Sequence, residues 1–299
     1  MLFCSWGFFA HKKINHYAVF TLPKELAAFY KPHLSYITEH AVDPDKRRTV
    51  VLGESERHYI DLDRYGANPF PESPSWTKAM EQYSEDSLRQ NGILPWQIQR
   101  SYRQLVRAFA EKDAPAILKL SADLGHYIAD AHVPLHTTSN YNGKQTDQEG
   151  IHAFWESRLP EMFALRYNFV VGKARYIDDT QKEAWNIIKN TYTLVDSVLQ
   201  IEKRLSGQYK QNQKYRYEKR NQQLVRAYST AYSKAYHDAL SGMVEQQMRA
   251  AIFSVGSYWY SAWVDAGQPQ LTGLPIGTEI VDSIPQFSDE KKPGREEWQ

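Results

Sequence analysis

The segment HYIADAHVPLH, residues 126 to 136, brings three side chains that can bind a metal ion close together in the chain. His126 and Asp130 are four residues apart, so on a helix their nitrogen and oxygen atoms lie on one face. Pro134 bends or ends that helix and lets His136 approach from another direction. Zinc takes imidazole nitrogen and carboxylate oxygen and needs about four ligands. The segment therefore predicts part of a metal site.

A second pair with the same spacing follows soon afterwards. His152 and Glu156, in HAFWE, repeat the four-residue step. One pair of this kind is more often a simple hydrogen-bonded pair than a set of metal ligands. Two pairs in one short region favour a metal cluster.

Further candidate ligands lie nearer the start of the chain. WGFFAH contains Trp6 and His11, DPDKRR contains Asp45, and ERHYID contains His58. Each of these residues is a weak signal by itself. Taken in order, the pattern is Trp-x4-His, Asp, His-Tyr-Ile-Asp, His-x3-Asp-x5-His and His-x3-carboxylate.

This order of residues resembles the S1/P1 nuclease and zinc-dependent phospholipase C superfamily, with a bacterial member as the best fit. The resemblance runs from Trp6 to about Glu156 and beyond that rests only on helical character. It implies an all-α, single-domain helical bundle with up to three zinc ions in a cleft. It also implies that the protein hydrolyses phosphodiesters.

The resemblance implies that each metal-ligand position of the superfamily has a matching residue in this chain. Two ions would form a close pair, and a third would lie beside them. The implied ligands are Asp45, His58, His126 and Asp130 for one ion of the pair; His136, His152 and Glu156 for its partner; and His11, the second oxygen of Asp130 and the amino group and carbonyl of Trp6 for the third.

Two zinc ions close together can share a water, lower its pKa and clamp both oxygens of an in-line displacement. Asp45 is the catalytic candidate, because a carboxylate bound to zinc through one oxygen can orient water through the other. The third zinc would stabilise the departing oxyanion, so no side-chain general acid is needed. Arg48, one helical turn beyond Asp45, is either a bidentate phosphate-binding group or a solvated surface charge.

The amino group of Trp6 can bind zinc only if Trp6 begins the mature chain. Residues 1 to 5, MLFCS, are too short for a secretory signal, and we interpret them as the remnant of a truncated signal peptide. Cys4 is the one cysteine in the sequence, which excludes an internal disulfide. We therefore expect a periplasmic or secreted bacterial protein.

Single-stranded nucleic acid and phospholipid are the two candidate substrates. The short spacing from Trp6 to His11 resembles the nuclease branch, which we favour. Glu156 at the last ligand position and the short interval from His136 to His152 resemble the phospholipase C branch. A third hypothesis is that the protein binds zinc but is not an enzyme and so has no turnover.

Composition limits how the substrate can be held. The 299 residues carry a formal net charge of +1, so no global basic field attracts nucleic acid. Binding would depend on zinc and on local contacts. The chain has no transmembrane stretch, and we expect a monomer with one domain over residues 6–266 and an extended C-terminal tail over 267–299.

The elements that must position the ligands are helices. The pattern predicts helical structure over 9–42, and helices over 95–111 and 114–133 with Asp113 as the N-cap between them. Residues 66–76 and 137–150 read as loops. Two long helices, 179–205 and 218–266, would complete the bundle.

Some residues invite a functional interpretation that we rank second. His132 would point away from the ligand face, and Asp61 and Asp63 would orient ligands through hydrogen bonds. The segment from Lys203 to Arg220 mixes tyrosines with basic residues, which is typical either of a single-strand-binding surface or, as we favour, of a solvated connection. Aromatic residues near the ligands could stack on a base, but packing around the cluster is the preferred role.

Overall fold

The computed structural model describes residues 7–220 and 223–274, without the side chains of Arg220 and Gln223. Trp6, the predicted signal remnant and most of the predicted tail lie outside these residues. The described part is mostly helical, as the sequence predicts. Its α-helices are α1 (Phe8–Ala18), α2 (Lys24–Tyr30), α3 (Leu34–Glu39), α4 (Asp43–Arg47), α5 (Trp76–Gln82), α6 (Glu85–Gln90), α7 (Leu94–Glu111), α8 (Ala114–Asp130), α9 (Ile151–Ala153), α10 (Leu159–Phe163), α11 (Thr180–Tyr192), α12 (Val195–Ser206), α13 (Gln211–Lys214), α14 (Thr230–Ala239) and α15 (Met243–Asp265).

Helix α8 lies at the centre of the fold and packs against α1, α7 and α15. Most of its side chains beyond the first turn are buried, including its polar residues Ser121, His126 and Asp130. Trp259 of α15 donates a hydrogen bond from Nε1 to the carbonyl of Ser121 at 3.0 Å, and Tyr30 stacks on Trp259 at 5.2 Å between ring centroids. The helix that carries the pair His126 and Asp130 is therefore fixed on several sides.

Helices α1 and α8 approach closely at Gly125. A Cβ atom at this position would lie 2.2 Å from Oδ1 of Asn15, which is far inside van der Waals contact. The Asn15 side chain also donates a hydrogen bond to the carbonyl of Ala122 at 3.1 Å. Gly125 thus sets the distance between the helix that carries His11 and the helix that carries His126.

The predicted helices in the middle of the chain are confirmed. Helices α7 and α8 are separated by a turn at Lys112, which has a left-handed φ of 55°. Asp113 caps α8, since its side chain accepts a hydrogen bond from the backbone of Ala116 at 3.0 Å. Helix α8 ends at Asp130, three residues before the predicted end, so that the chain turns earlier towards His136.

The first predicted helical stretch, 9–42, is divided into several pieces. Helices α1, α2 and α3 alternate with 3-10 turns at Val19–Thr21, Lys31–His33 and His40–Val42. Leu22 is extended, and Pro23 lies at the N-cap of α2, where its missing N–H costs nothing. Breaking the stretch lets α1 and α3 pack against each other and both against α8.

The two long C-terminal helices are predicted wrongly. The first divides into α11 and α12, which meet at a turn after Tyr192. In place of the start of the second lies a β-hairpin of β1 (Tyr215–Arg220) and β2 (Gln223–Tyr228), followed by α14 and α15. The strands are antiparallel, with Tyr215 opposite Tyr228. Aromatic residues at alternate positions suit a strand better than a helix.

The hairpin packs against the segment that carries the last ligand pair. The ring of Phe154 stacks on Tyr228 at 3.7 Å between centroids. Arg158 donates hydrogen bonds to both carboxylate oxygens of Glu218, at 3.2 and 2.6 Å. The interpretation of residues 203–220 as a plain connection is therefore too simple, because their last part is a strand with Tyr217 69% exposed.

Within the described residues, no helix is both long enough and apolar enough to cross a membrane. This agrees with the absence of a transmembrane stretch from the sequence-based prediction.

The close contact at Gly125 gives a first prediction. Gly125→Ala should push α1 away from α8 and lower the free energy of unfolding by about 1–3 kcal/mol, as overpacking does in other cores. Chemical denaturation measures the change. Gly207→Ala is the matched control, since its added Cβ would lie 3.5 Å from the carbonyl oxygen of Arg204, an ordinary van der Waals contact that needs no shift. Equal stability of the two variants would contradict the role given to Gly125.

Candidate metal centre

Eight of the nine candidate metal ligands lie within the described residues, and each is at most 1% exposed. They come from separate parts of the chain. The elements that carry them are α1 (His11), α4 (Asp45), the 3-10 turn Ser55–His58 (His58), α8 (His126 and Asp130), the 3-10 turn Pro134–Thr137 (His136), α9 (His152) and the π-helical segment Phe154–Arg158 (Glu156).

The first group contains one donor atom from each of four side chains. Nδ1 of His58 lies 2.9 Å from Oδ2 of Asp130 and 3.0 Å from Nε2 of His126. Nε2 of His126 lies 3.2 Å from the same Asp130 oxygen. Oδ1 of Asp45 completes the group, at 3.7 Å from His58 and 3.6 Å from His126. The donor atoms of His58, His126 and Asp130 lie within 4.8 Å of one another and could hold a metal ion, and Oδ1 of Asp45 approaches both histidine nitrogens.

Asp130 faces a second group with its other oxygen. Oδ1 of Asp130 lies 3.4 Å from Nε2 of His11 and 3.7 Å from Nδ1 of His136. The ring of His11 stacks on that of His126, with centroids 3.9 Å apart. Donor atoms of His11, Asp45 and His126 also lie within 4.8 Å of one another. Trp6, the remaining candidate ligand here, lies outside the described residues.

The third group consists of His136, His152 and Glu156. Oε2 of Glu156 lies 2.9 Å from Nε2 of His152 and 3.3 Å from Nε2 of His136. The two imidazole rings are nearly perpendicular, at 89°. The helix widens to a π-helix directly after His152, a distortion that often marks a functional position and that the sequence pattern did not predict.

Asp45 carries the clearest sign that the cluster needs a cation. Its side chain is 1% exposed, and neither carboxylate oxygen has a hydrogen-bond partner among the described residues. A buried carboxylate without hydrogen bonds is strongly unfavourable unless a positive charge lies close by. A metal ion bound to Oδ1 of Asp45 would supply that charge, so the donor set fits a metal.

Backbone carbonyl groups fix the orientation of two imidazole rings. Nδ1 of His126 is hydrogen-bonded to the carbonyl of Ala41 at 2.9 Å, and Nδ1 of His136 to that of His58 at 2.6 Å. In both rings Nε2 is left to face the donor groups. The backbone N–H of Ile60 also donates to the carbonyl of His136 at 2.9 Å, which ties the two ligand segments together.

Asp63, predicted to orient a ligand, anchors the chain after His136. It accepts hydrogen bonds from the hydroxyl of Thr138 at 3.0 Å and from the backbone N–H of Ser139 at 2.9 Å. It therefore acts on the loop that leads from His136 towards His152. Asp61 is buried in the same segment.

The electrostatics of the metal-free groups are dominated by burial and by close opposite charges. Burial lowers the pKa of His136 to about 4, so this ring is neutral at pH 7 and can donate a lone pair. Burial also disfavours the charged form of His126, but Asp130 and Asp45 outweigh it and raise the pKa of His126 to about 9. His126 and His136 hold the pKa of Asp130 well below its usual range, against the effect of burial. In the metal-free four-donor group, the positive charge of protonated His126 replaces the charge that a bound cation would supply.

Arg48 is not a solvated surface charge. Its side chain is 9% exposed, and its Nη1 atom lies 3.8 Å from Oδ1 of Asp45. It also lies close enough to His136 to lower the pKa of that ring, although burial is the main cause. The guanidinium group is therefore held beside both the four-donor group and the third group.

Sequence reasoning missed a buried carboxylate behind the site. Glu54 is fully buried and accepts a hydrogen bond from the hydroxyl of Tyr127 and another from Arg57 at 2.7 Å. Burial alone would raise the pKa of Glu54, but His58, Arg47 and Arg57 bring it down to about 2. Its position four residues before His58 would be a signal only if the two residues shared an α-helix.

The remaining histidines take other partners. His132 follows the end of α8 and is buried away from the donor groups, as predicted, with Nε2 3.1 Å from the hydroxyl of Ser254. His40 pairs with Asp43 at 2.5 Å on the surface side of α4. Phe154 packs in the core against Tyr228, which agrees with the preferred packing role of the aromatic residues.

Comparison with known proteins adds no identification: no family model matches the chain, and no curated protein matches it. The function has to be inferred from the residues and from the geometry described above.

The buried donor groups predict that a metal ion stabilises the fold. Adding zinc to chelator-treated protein should raise its melting temperature, because a ligand at 100 times its Kd stabilises a protein by about 2.7 kcal/mol. His136→Gln should reduce the zinc-dependent part of that rise. Calorimetry with and without zinc measures it.

His132→Gln is the matched control for this measurement. It removes a buried histidine that follows the end of α8 and belongs to none of the donor groups. It should keep the full zinc response. A metal centre at these residues would be contradicted by a melting temperature that does not change with zinc. It would also be contradicted if both variants lost the same part of the zinc-dependent rise.

Proposed function

We propose that this protein is a zinc-dependent phosphodiester hydrolase, and specifically an S1/P1-type nuclease that acts on single-stranded nucleic acid. The observation that carries the proposal is the buried donor group of His58, His126 and Asp130, with Asp45 3.7 Å from His58 and 3.6 Å from His126. A second buried donor group lies beside it, at His136, His152 and Glu156. The order of these residues along the chain resembles that superfamily.

The donor spacing supports zinc as the metal. Bonds of about 2.0–2.1 Å to a tetrahedral ion place neighbouring donor atoms about 3.4 Å apart. Five distances within the four-donor group range from 2.9 to 3.7 Å. Imidazole nitrogens supply two of the four donors, whereas calcium and magnesium prefer oxygen. The donor types and these five spacings are thus those that a tetrahedral zinc ion prefers.

Zinc bound at such a site supplies a water of lowered pKa and stabilises negative charge on phosphate oxygens. Asp45 contributes the carboxylate that orients this water and receives its proton, because its Oδ2 atom makes no hydrogen bond within the described part of the chain. Arg48 is held beside Asp45, where its guanidinium group can donate to a phosphate oxygen. His136, His152 and Glu156 would hold a second zinc, which would stabilise charge on the other side of the phosphodiester.

The nuclease branch is favoured by the short spacing from Trp6 to His11. A formal net charge of +1 leaves the phosphate to be held by the metal and by Arg48, rather than by a broad basic surface. The runner-up is a zinc-dependent phospholipase C, favoured by Glu156 and by the short interval between His136 and His152.

The proposal includes the site of action. We propose a periplasmic or secreted protein that works as a monomer. His11 and Oδ1 of Asp130 would hold a third zinc.

Asp45→Asn tests the mechanism. The amide keeps the size of the side chain but cannot take a proton, so turnover should fall by about 10²–10⁴-fold, the range typical of a lost general base. Much of the zinc should remain, because the other ligands stay in place. Turnover and zinc content are measured on the same samples.

Asp43→Asn is the control, since Asp43 lies on the same helix but pairs with His40 and Lys46 instead of facing the donor groups. It should leave turnover near the wild-type value. Normal turnover in Asp45→Asn would remove Asp45 from its role, and zinc binding without turnover in the wild type would indicate a catalytically silent zinc protein.

A direct substrate comparison tests the branch. Zinc-loaded protein that starts at Trp6 should cleave single-stranded DNA or RNA, and a chelator should abolish the cleavage. Phosphatidylcholine is assayed in parallel for release of its head group. Lipid cleavage without nucleic-acid cleavage would replace the nuclease proposal by the phospholipase C alternative.

A further inference from the structure

The two nitrogens of the His58 ring face opposite directions. Nδ1 points into the four-donor group, 2.9 Å from Asp130 and 3.0 Å from His126. Nε2 points out of the group towards Glu54, and its nearest carboxylate oxygen there, Oε1, is 3.7 Å away. Nε2 is buried and has no hydrogen-bond partner among the described residues.

His58 differs in this respect from the two rings that backbone carbonyls hold. His126 and His136 each place a nitrogen 2.9 Å or less from a main-chain oxygen, which a change of side chain cannot remove. The outward nitrogen of His58 faces a carboxylate side chain instead. Since a metal ligand needs the proton on its other nitrogen, the group opposite that nitrogen decides which tautomer is stable.

We propose that Glu54 is a positioning residue that holds the proton of His58 on Nε2 and so leaves Nδ1 free to bind the metal. The separation of 3.7 Å is longer than a hydrogen bond, so Glu54 acts through its charge, which attracts an N–H and repels a lone pair. This inference rests on the metal site of the proposed function but not on its substrate.

Glu54 also joins three of the elements that supply donors. It precedes the 3-10 turn that ends in His58, and it accepts a hydrogen bond from Tyr127, the neighbour of His126 on α8. Nε of Arg47, at the end of the helix that carries Asp45, lies 3.7 Å from its Oε2 atom. One carboxylate is thus in contact with each segment that forms the four-donor group.

Asp123 provides a control within the same cluster. It accepts two hydrogen bonds from Arg47, at 3.3 and 2.9 Å, so its loss removes one negative charge and disturbs the same arginine. Among the described residues, no hydrogen bond or ion pair joins Asp123 to His58. Glu54→Gln and Asp123→Asn therefore make the same change of charge, and they differ in whether the group that faces His58 is altered.

The test measures zinc affinity and the tautomer of His58 by calorimetry and by ¹⁵N NMR of histidine-labelled protein. Glu54→Gln should weaken zinc binding at the four-donor group by about 10–100-fold, the range known for such outer partners. It should also shift His58 from a single Nε2-protonated form to a mixture of tautomers. Asp123→Asn should keep the wild-type affinity and the single tautomer.

Equal zinc affinity in Glu54→Gln and the wild type, or the same loss in both variants, would overturn the proposal. If Glu54→Gln does not fold, the wild-type spectrum decides: a proton on Nδ1 of His58 in the metal-free protein overturns it, and a proton on Nε2 supports it. A wild-type protein that binds no zinc would instead contradict the proposed function, so the two failures can be told apart.

Discussion

Three carboxylates buried beside five imidazole rings need positive charge, because water that would otherwise stabilise them is excluded. Burial opposes the charged form of His126, but Asp130 and Asp45 raise its pKa to about 9, so a proton on this ring supplies part of that charge in the metal-free chain. Both oxygens of Asp45 still have no hydrogen-bond partner among the described residues. The helices around the site keep these groups together in the absence of water.

The surrounding structure resists the tendency of such a cluster to separate. Helix α8 supplies two of the ligands and is buried on most sides, while α1 is held against it at Gly125. Nδ1 of His136 is hydrogen-bonded to the main-chain carbonyl of His58, which holds the two ligand segments together. Behind them, Glu54 joins the segments from which the four-donor group is built. The rigidity of the site therefore comes from side chains and main-chain groups that never contact a metal.

The spacing of residues along the chain predicted those positions in the site that depend on a single helix. The four-residue step from His126 to Asp130 puts both on one face of α8, as the structure has them, and His132 faces away from the donor groups although the helix ends before it. The approach of Asp45 and His58 to that helix depends on tertiary packing, and only the resemblance to a known family indicated it. The hairpin that ends at Tyr228 was missed because helical periodicity of its neighbours was extended through it, although tyrosines at alternate positions indicated strands. Glu54 could not be predicted from spacing, because the residues between it and His58 form a 3-10 turn instead of an α-helix.

The two oxygens of Asp130 face different groups of donors, with His58 and His126 on one side and His11 on the other. A single carboxylate that serves two cation positions links their occupancies. A cation on one oxygen draws electron density from the other, yet it also fixes the carboxylate in the orientation that the second position requires. By thermodynamic reciprocity, whatever the first cation does to the affinity for the second, the second does equally to the first. Cations at these two positions would therefore bind in a coupled equilibrium, with Asp130 as the group that couples them.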